Sequence, residues 1–391
     1  MRLGRGAKGI AFLVTALAVA ALGAGLAEAA FPVASNGNIA YERIGDPGLS
    51  FDVFSMGPNG SGQVNLTNSA DYEVTPSYSP DGRKIVFVRA AGSERNDIWM
   101  MNADGTGQVN LTNTPEAREI SPVFSPNGKT IAYNTDQEYP PANLYLMKAD
   151  GSGQHNLTTN ALGVNDQHPD FSPDGSRIVF DRCGSSGCEI YSIAPDGSGL
   201  TNLTNTPGLP SESDPAYSPD GKRIVFGSTS GGNQDLETMN VDGTGRSNAT
   251  NSPDQEVAPV FSADGTLLAY NVPAVLDIFT NPAGGGPPTN LTNTPSPLRE
   301  EVPAWQSIFT CGGRQATIVG SDAGEKLKGT SGADVIVGNG GNDRIKGLGG
   351  RDRLCGGAGR DRLAGGKGRK DLCRGQAGKD FGGKGCEKGK L

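Results

Sequence analysis

Four aspartates stand nine residues apart near the end of a 391-residue chain: Asp334, Asp343, Asp352 and Asp361. Written in nines from Gly320, their surroundings read GSDAGEKLK, GTSGADVIV, GNGGNDRIK, GLGGRDRLC, GGAGRDRLA, GGKGRKDLC and RGQAGKDFG. The glycine-rich first six residues of each unit turn tightly and leave backbone carbonyl oxygens open. The aspartate at position six adds a carboxylate, and oxygen donors gathered in this way suit a hard cation such as calcium. Position eight is Leu327, Ile336, Ile345, Leu354, Leu363, Leu372 or Phe381. A flexible glycine linker has no reason to keep an apolar residue in one frame seven times, so this row is expected to point into a thin core.

The frame weakens at its ends. Glu325 stands where the first unit would have its aspartate, and Lys370 and Lys379 hold position six in the last two units. Asp371 and Asp380 are there displaced by one residue. Adjacent residues of an extended segment point to opposite sides, so these two acids are expected to miss the ion.

A second set of acids recurs far upstream. Glu73, Glu119, Asp166, Glu212, Glu256 and Glu300 each lie three residues before a proline. Two outcomes are open. The six carboxylates could ring one mouth of a channel and attract cations or a basic peptide, or each could cap its own turn. Catalytic signals are sparse. The chain has two histidines, His155 and His168, and neither HExxH nor Gly-x-Ser-x-Gly occurs. His168 could face a channel, but Thr75, Ser121, Asp214, Ala258 and Val302 occupy the equivalent positions. A variable repeat position therefore explains it without chemistry, and no catalytic residue is assigned.

The elements that position these residues are repeats. Turns of the form Ser-Pro-Asp-Gly begin at Ser79, Ser125, Ser172, Ser218 and Ser262, at steps of 46, 47, 46 and 44 residues. A second phrase, such as DIWMMNADG at 97, and a third, such as NLTN at 110, travel with them. Each unit reads as four strands. Proline and glycine make the turns, and β-branched apolar runs such as KIVFV make the strands. Four strands per 40 to 50 residues is the sequence pattern of a propeller blade. The aromatics Tyr78, Phe124, Phe171, Tyr217, Phe261 and Trp305 hold one repeat position and are expected to fill the gaps between blades. VPAWQS at 302–307 is a first strand with nothing after it, so it is expected to complete the first blade and close the ring. The NLT phrases match a glycosylation acceptor, but their recurrence once per unit favours a structural role.

These phrases, over roughly residues 31–308, resemble the TolB-type propeller repeat. The resemblance implies a periplasmic or extracellular protein that binds other proteins; some propellers of similar repeat are hydrolases or lyases. The nonapeptides resemble the RTX, or haemolysin-type, calcium-binding repeat, which implies a parallel β-roll with two nonapeptides per coil. Asp334 should then stack over Asp352, and Asp343 over Asp361. Cys355 and Cys373 lie 18 residues apart, one coil, and neighbouring strands ~4.8 Å apart permit a disulfide between them. Cys183 and Cys188 flank GSSG and are expected to bridge locally, whereas four tail cysteines allow three pairings.

The ends and the charge complete the reading. Arg2, Arg5 and Lys8, an apolar run over Ile10–Leu26 and the small residues of Ala27–Ala29 make a secretory signal peptide over 1–29. No later segment could span a membrane. The expected order is a signal peptide (1–29), a six-bladed propeller (30–308), a linker (309–319) and a calcium-binding β-roll (320–391), all of it β-structure. Residues 311–391 carry 17 Lys and Arg against 9 Asp and Glu, a net charge of +8, in a chain of net charge −8. A protein or an anionic cell-surface polymer is the expected partner, no nucleic acid is expected, and the expected location is outside the cytoplasm. The alternative is a propeller hydrolase or lyase acting on peptide or glycan.

Overall fold

The computed structural model describes residues 34–44, 50–90, 96–114, 117–136, 141–206, 211–294, 298–367 and 370–386. The expected signal peptide lies outside the described residues. The first part is a propeller of short antiparallel ladders. Four separate sheets have four strands each, and an eight-stranded sheet joins two further ladders through one parallel pairing, Asn96 with Arg118.

The Ser-Pro-Asp-Gly turn works through its side chains. Ser79 Oγ donates to Asp81 Oδ1 (2.6 Å) and accepts the Lys84 amide (2.9 Å), while the Gly82 amide donates to the Ser79 carbonyl (2.8 Å). Gly82 has φ +69°, which a residue without a Cβ adopts readily. The NLT phrase is a second clamp. Asn65 Nδ2 donates to Asp52 Oδ2 (2.8 Å), its Oδ1 accepts the Thr67 and Asn68 amides, and Thr67 Oγ1 accepts the Val53 amide (3.0 Å). The outer two-residue strand is thus pinned to the third strand by side chains.

Burial between ladders supplies the cohesion. Phe171 packs with Leu144 and Leu146 of one ladder and Ile178 and Phe180 of the next. Tyr78, Phe124 and Phe261 repeat this arrangement. Each such side chain contributes about 1.5–3 kcal/mol of apolar transfer. The ring closes as the sequence suggests: Glu300–Ile308 pairs antiparallel with Ser35–Ile44, and Trp305 packs with Ile39, Tyr41 and Ile278.

The tail is a parallel roll of two sheets. One contains Ile318–Val319, Val335–Val337, Arg353–Ala358 and Leu372–Ala377; the other contains Lys326–Lys328, Arg344–Leu348, Arg362–Gly366 and Phe381–Gly382. Leu327, Ile336, Ile345, Leu354, Leu363 and Cys373 form the core between them. Residues 309–319 are not an open spacer. Thr310–Cys311 pairs with Arg314–Gln315 as a hairpin, and Cys311 and Ala316 pack on the first sheet.

Two expectations about the tail are corrected. Early coils step by 18 residues, Val335 over Arg353, but the last steps by 19, with Leu354 beside Cys373. One extra residue lies between Asp361 and Asp371, and the chain absorbs it so that an acid and an apolar residue regain their places. Cys373 therefore turns inward, Leu372 is half-buried, and Phe381 is 53% exposed. The expected Cys355–Cys373 bridge cannot form, because Cys355 faces the hairpin while Cys373 faces the core. Cys311 bonds Cys355 and Cys373 bonds Cys386; the Cys183–Cys188 bridge is present as expected.

Candidate functional site

The roll stacks its carboxylates in two rows. Asp334, Asp352 and Asp371 form one, and Glu325, Asp343, Asp361 and Asp380 form the other. In each row an aspartate Oδ1 accepts the backbone amide of the acid one coil earlier. Asp352 accepts from Asp334 and Asp361 from Asp343, both at 2.9 Å, as the stacking expectation requires. Asp371 accepts from Asp352 (3.0 Å) and Asp380 from Asp361 (2.9 Å). The two acids expected to miss the site are therefore members of it. Glu325 starts its row by donating its amide to Asp343 Oδ1 (2.7 Å), and its own carboxylate accepts the Ser321 amide four residues earlier (2.6 Å).

The second oxygen of each carboxylate is the informative one. Oδ2 of Asp343, Asp352, Asp361 and Asp371 is buried without a hydrogen-bond partner. An unpaired buried polar atom costs about 1–3 kcal/mol, more when charged. Carbonyl oxygens lie close by. A Cβ placed on Gly347 would sit 2.1 Å from Asp352 Oδ2 and 2.7 Å from the Gly365 carbonyl oxygen. At Gly338 it would sit 2.4 Å from Asp343 Oδ2 and 2.3 Å from the Gly356 carbonyl oxygen. Glycine keeps a space between a carboxylate and a carbonyl one coil on, which only a small group can enter. Burial pushes the Asp343 pKa up to about 7, with the charges of Asp361, Glu325 and Asp322 adding to it. Hard oxygens, mutual repulsion and, among the described residues, no cationic side chain paired with these carboxylates fit a divalent hard cation such as calcium.

The upstream acids behave otherwise. Glu73, Glu119, Asp166, Glu212, Glu256 and Glu300 are all buried, so no exposed ring of charge is formed. Arg89 reaches Glu73 (2.7 Å), Arg182 grips Asp166 with two nitrogens (2.6 and 2.8 Å), Arg246 reaches Glu212 (2.7 Å), and Arg43 reaches Glu300 (2.7 Å). Glu119 accepts from Thr112 and Thr114, and Glu256 from Thr250. The open-mouth expectation is thus corrected in favour of turn capping: Glu73, Glu119, Glu212, Glu256 and Glu300 each accept from a serine or threonine at the end of the preceding ladder, whereas Asp166 is held by Arg182 of its own ladder.

His168 sits where the innermost strand bulges, at φ +49°, as do its five repeat equivalents, with φ between +47° and +53°. Its Nδ1 lies 2.8 Å from Asp181 and 3.4 Å from Asp214. Burial opposes the charged imidazole, but Asp214 and Asp181 outweigh it and push the pKa up to about 10. Burial also pushes Glu42 up to about 8, and Glu119 and Asp170 up to about 7. All four values lie above those of an unfolded chain, so the folded propeller holds protons that the unfolded chain has released. Its stability must then decline as pH rises from about 5 towards about 10. Melts of the propeller at about pH 6 and about pH 9 are expected to give the lower midpoint at the higher pH; a higher midpoint there contradicts these assignments. Asp181 also lies near Cys183 and Cys188, but both sulfurs are in their disulfide.

The roll rests on the propeller. The Asp322 amide donates to the Pro173 carbonyl (3.3 Å) over a cavity of about 680 Å³ lined by Pro80, Pro126, Pro173 and Pro219 below and by Val319 above.

Comparison with known proteins agrees with both halves. The family model for the TolB beta propeller domain matches residues 84–275, and that for the RTX calcium-binding nonapeptide repeat matches residues 319–354 and 328–363. No curated protein matches the chain. Among solved structures, TolB from Acinetobacter baumannii is 20% identical with a TM-score of 0.58, covering 69% of this chain and 66% of that one, just under two thirds of its length. Putative TolB from Agrobacterium tumefaciens is 19% identical with a TM-score of 0.54, covering 70% and 93%. Hydrazine synthase from Kuenenia stuttgartiensis is 15% identical with a TM-score of 0.57, covering 70% and 47%. Identities this low speak for the fold alone. With repeat phrases, ladders and stacked aspartates in agreement with both family models, this chain is a TolB-type β-propeller repeat protein with a C-terminal tail of RTX calcium-binding nonapeptide repeats.

Proposed function

We propose that this is an exported calcium-binding protein whose roll is completed by calcium and whose propeller is a non-catalytic interaction module. The observation that carries the reading is the pair of carboxylate rows with unpartnered buried oxygens. Asp334, Asp352 and Asp371, with Asp343, Asp361 and Asp380, would hold the ions together with backbone carbonyls of the glycine turns. Bound calcium would neutralise carboxylates that otherwise repel one another. The propeller has six blades on this reading: the eight-stranded sheet counts as two, since one residue pair joins its halves.

Two observations support binding over catalysis and a location outside the cytoplasm. His168 lies between Asp181 and Asp214, whose charges push its pKa up to about 10 and oppose a general-base role near neutral pH. All six cysteines are in disulfides, which suits an oxidising compartment. Among the described residues no helix is long and apolar enough to cross a membrane. Calorimetric titration of the full-length protein tests the reading. Calcium is expected to bind at several sites with proton release, and magnesium weakly, because it demands a tighter octahedral shell. Absence of calcium uptake defeats the reading.

A further inference from the structure

The two sheets of the roll have different outer faces. The first is covered: Val335, Val337 and Cys355 are buried under Cys311, Ala316 and Phe309. Among the described residues nothing covers the second, and five of its outward residues are cations. Lys326, Arg344 and Arg362 stack in register, as do Lys328 and Lys346, and all five are exposed. The apolar residues between them, Leu327, Ile345 and Leu363, point inward. The rows therefore run along the roll axis with cations about 4.8 Å apart, and the two rows are about 7 Å apart, two residues along a strand.

Like charges in direct register repel. Among the described residues none of the five forms an ion pair, and five aspartates of the tail are buried in the carboxylate rows, facing away. The repulsion is relieved by an anion lying along the rows. A groove of about 460 Å³ runs beside them, with Lys346 and Lys367 at its sides and Leu348 and Ala364 on its floor. The first row ends on Phe381, in register with Arg362 and 53% exposed.

We propose that this face binds a linear anionic polysaccharide laid along the roll axis. The strip is two side chains wide and three coils long, a shape that fits one polymer strand rather than a bilayer. An apolar floor and a single terminal ring fit the faces of pyranose rings, whereas successive nucleic-acid bases would need a series of aromatic platforms. The proposal rests on the calcium reading above, because the cations fall into register only when the roll is folded.

The test is retention of the full-length protein, with calcium, on immobilised dextran sulfate against neutral dextran at about 0.15 M salt. Wild type is expected to be retained on the sulfated matrix alone and to elute as salt is raised. Lys326→Glu, Arg344→Glu and Arg362→Glu together are expected to abolish retention, while Arg344→Lys with Arg362→Lys keeps it. Calcium uptake by each variant is measured in parallel and is expected to match wild type. Retention of the charge-reversed variant at the wild-type level overturns the proposal and leaves the calcium reading standing. Stronger binding of wild type to phosphatidylserine vesicles or duplex DNA than to the polymer also overturns it. If wild type takes up no calcium, the calcium reading fails, and this proposal with it.

Discussion

Replacing Asp343 and Asp352 together with asparagine is expected to lower the melting temperature of the roll in calcium and to raise it in chelator. The opposite signs follow from the two oxygens of each side chain. Asn keeps an Oδ1 acceptor for the amide one coil earlier, so the bonds from Glu325 and Asp334 survive. The other oxygen, buried and unpartnered in the aspartates, becomes an amide nitrogen facing the carbonyls of Gly356 and Gly365, to which it can donate. Without calcium the substitution thus removes repulsion and adds hydrogen bonds. With calcium it removes one charged ligand from each row. A site filled at a hundred times its dissociation constant contributes about 2.7 kcal/mol, so losing two sites costs about 5 kcal/mol. Melts of the full-length protein, with and without chelator, read both signs. A variant destabilised equally in both conditions shows that the aspartates serve only as turn residues.

Reversing Glu212 to lysine is expected to unfold the propeller or to lower its melting temperature by roughly 10 °C or more. Glu212 is fully buried, accepts from Thr206 (2.9 Å), and faces Arg246, which also pairs with Glu237. Lysine would leave two cations against each other without water, and breaking a buried pair from one side costs about 3–5 kcal/mol. Glu212→Gln retains an acceptor for Thr206 and is expected to lose less. If Glu212→Lys melts like wild type, the acid faces solvent and the open ring of charge returns as an explanation.

What was legible in the sequence depended on backbone demands. Ser79, Asp81 and Gly82 are read easily because a tight turn constrains all three at once, and their recurrence sets the ladder spacing. The ring closure through Trp305 was legible for the same reason, since a first strand without successors must pair elsewhere. The fate of Glu73 and Glu212 was not. Their partners Arg89, on a strand, and Arg246, in the turn before one, hold non-equivalent repeat positions, and threonines take that role at Glu119 and Glu256, so no repeat announces burial. Asp371 and Asp380 were missed because counting in nines assumes units of equal length. The chain instead inserts one residue before Asp371 and recovers the stack. An Asp-Leu-Cys at 371–373 matching Asp-Arg-Leu at 352–354 was the available signal. The disulfides followed the same shift: Cys373 takes the inward place that strict counting gives to Leu372.

Hydrogen–deuterium exchange on the full-length protein, with calcium and with chelator, tests most directly the claim that calcium completes the roll. Glycine-rich turns lose much backbone entropy on ordering, and one row of six small-to-medium core residues offsets little of it. The account predicts slow exchange across residues 318–386 with calcium, fast exchange there without it, and unchanged slow exchange in the inner strands of the propeller. Equal protection of the tail in both conditions would contradict it.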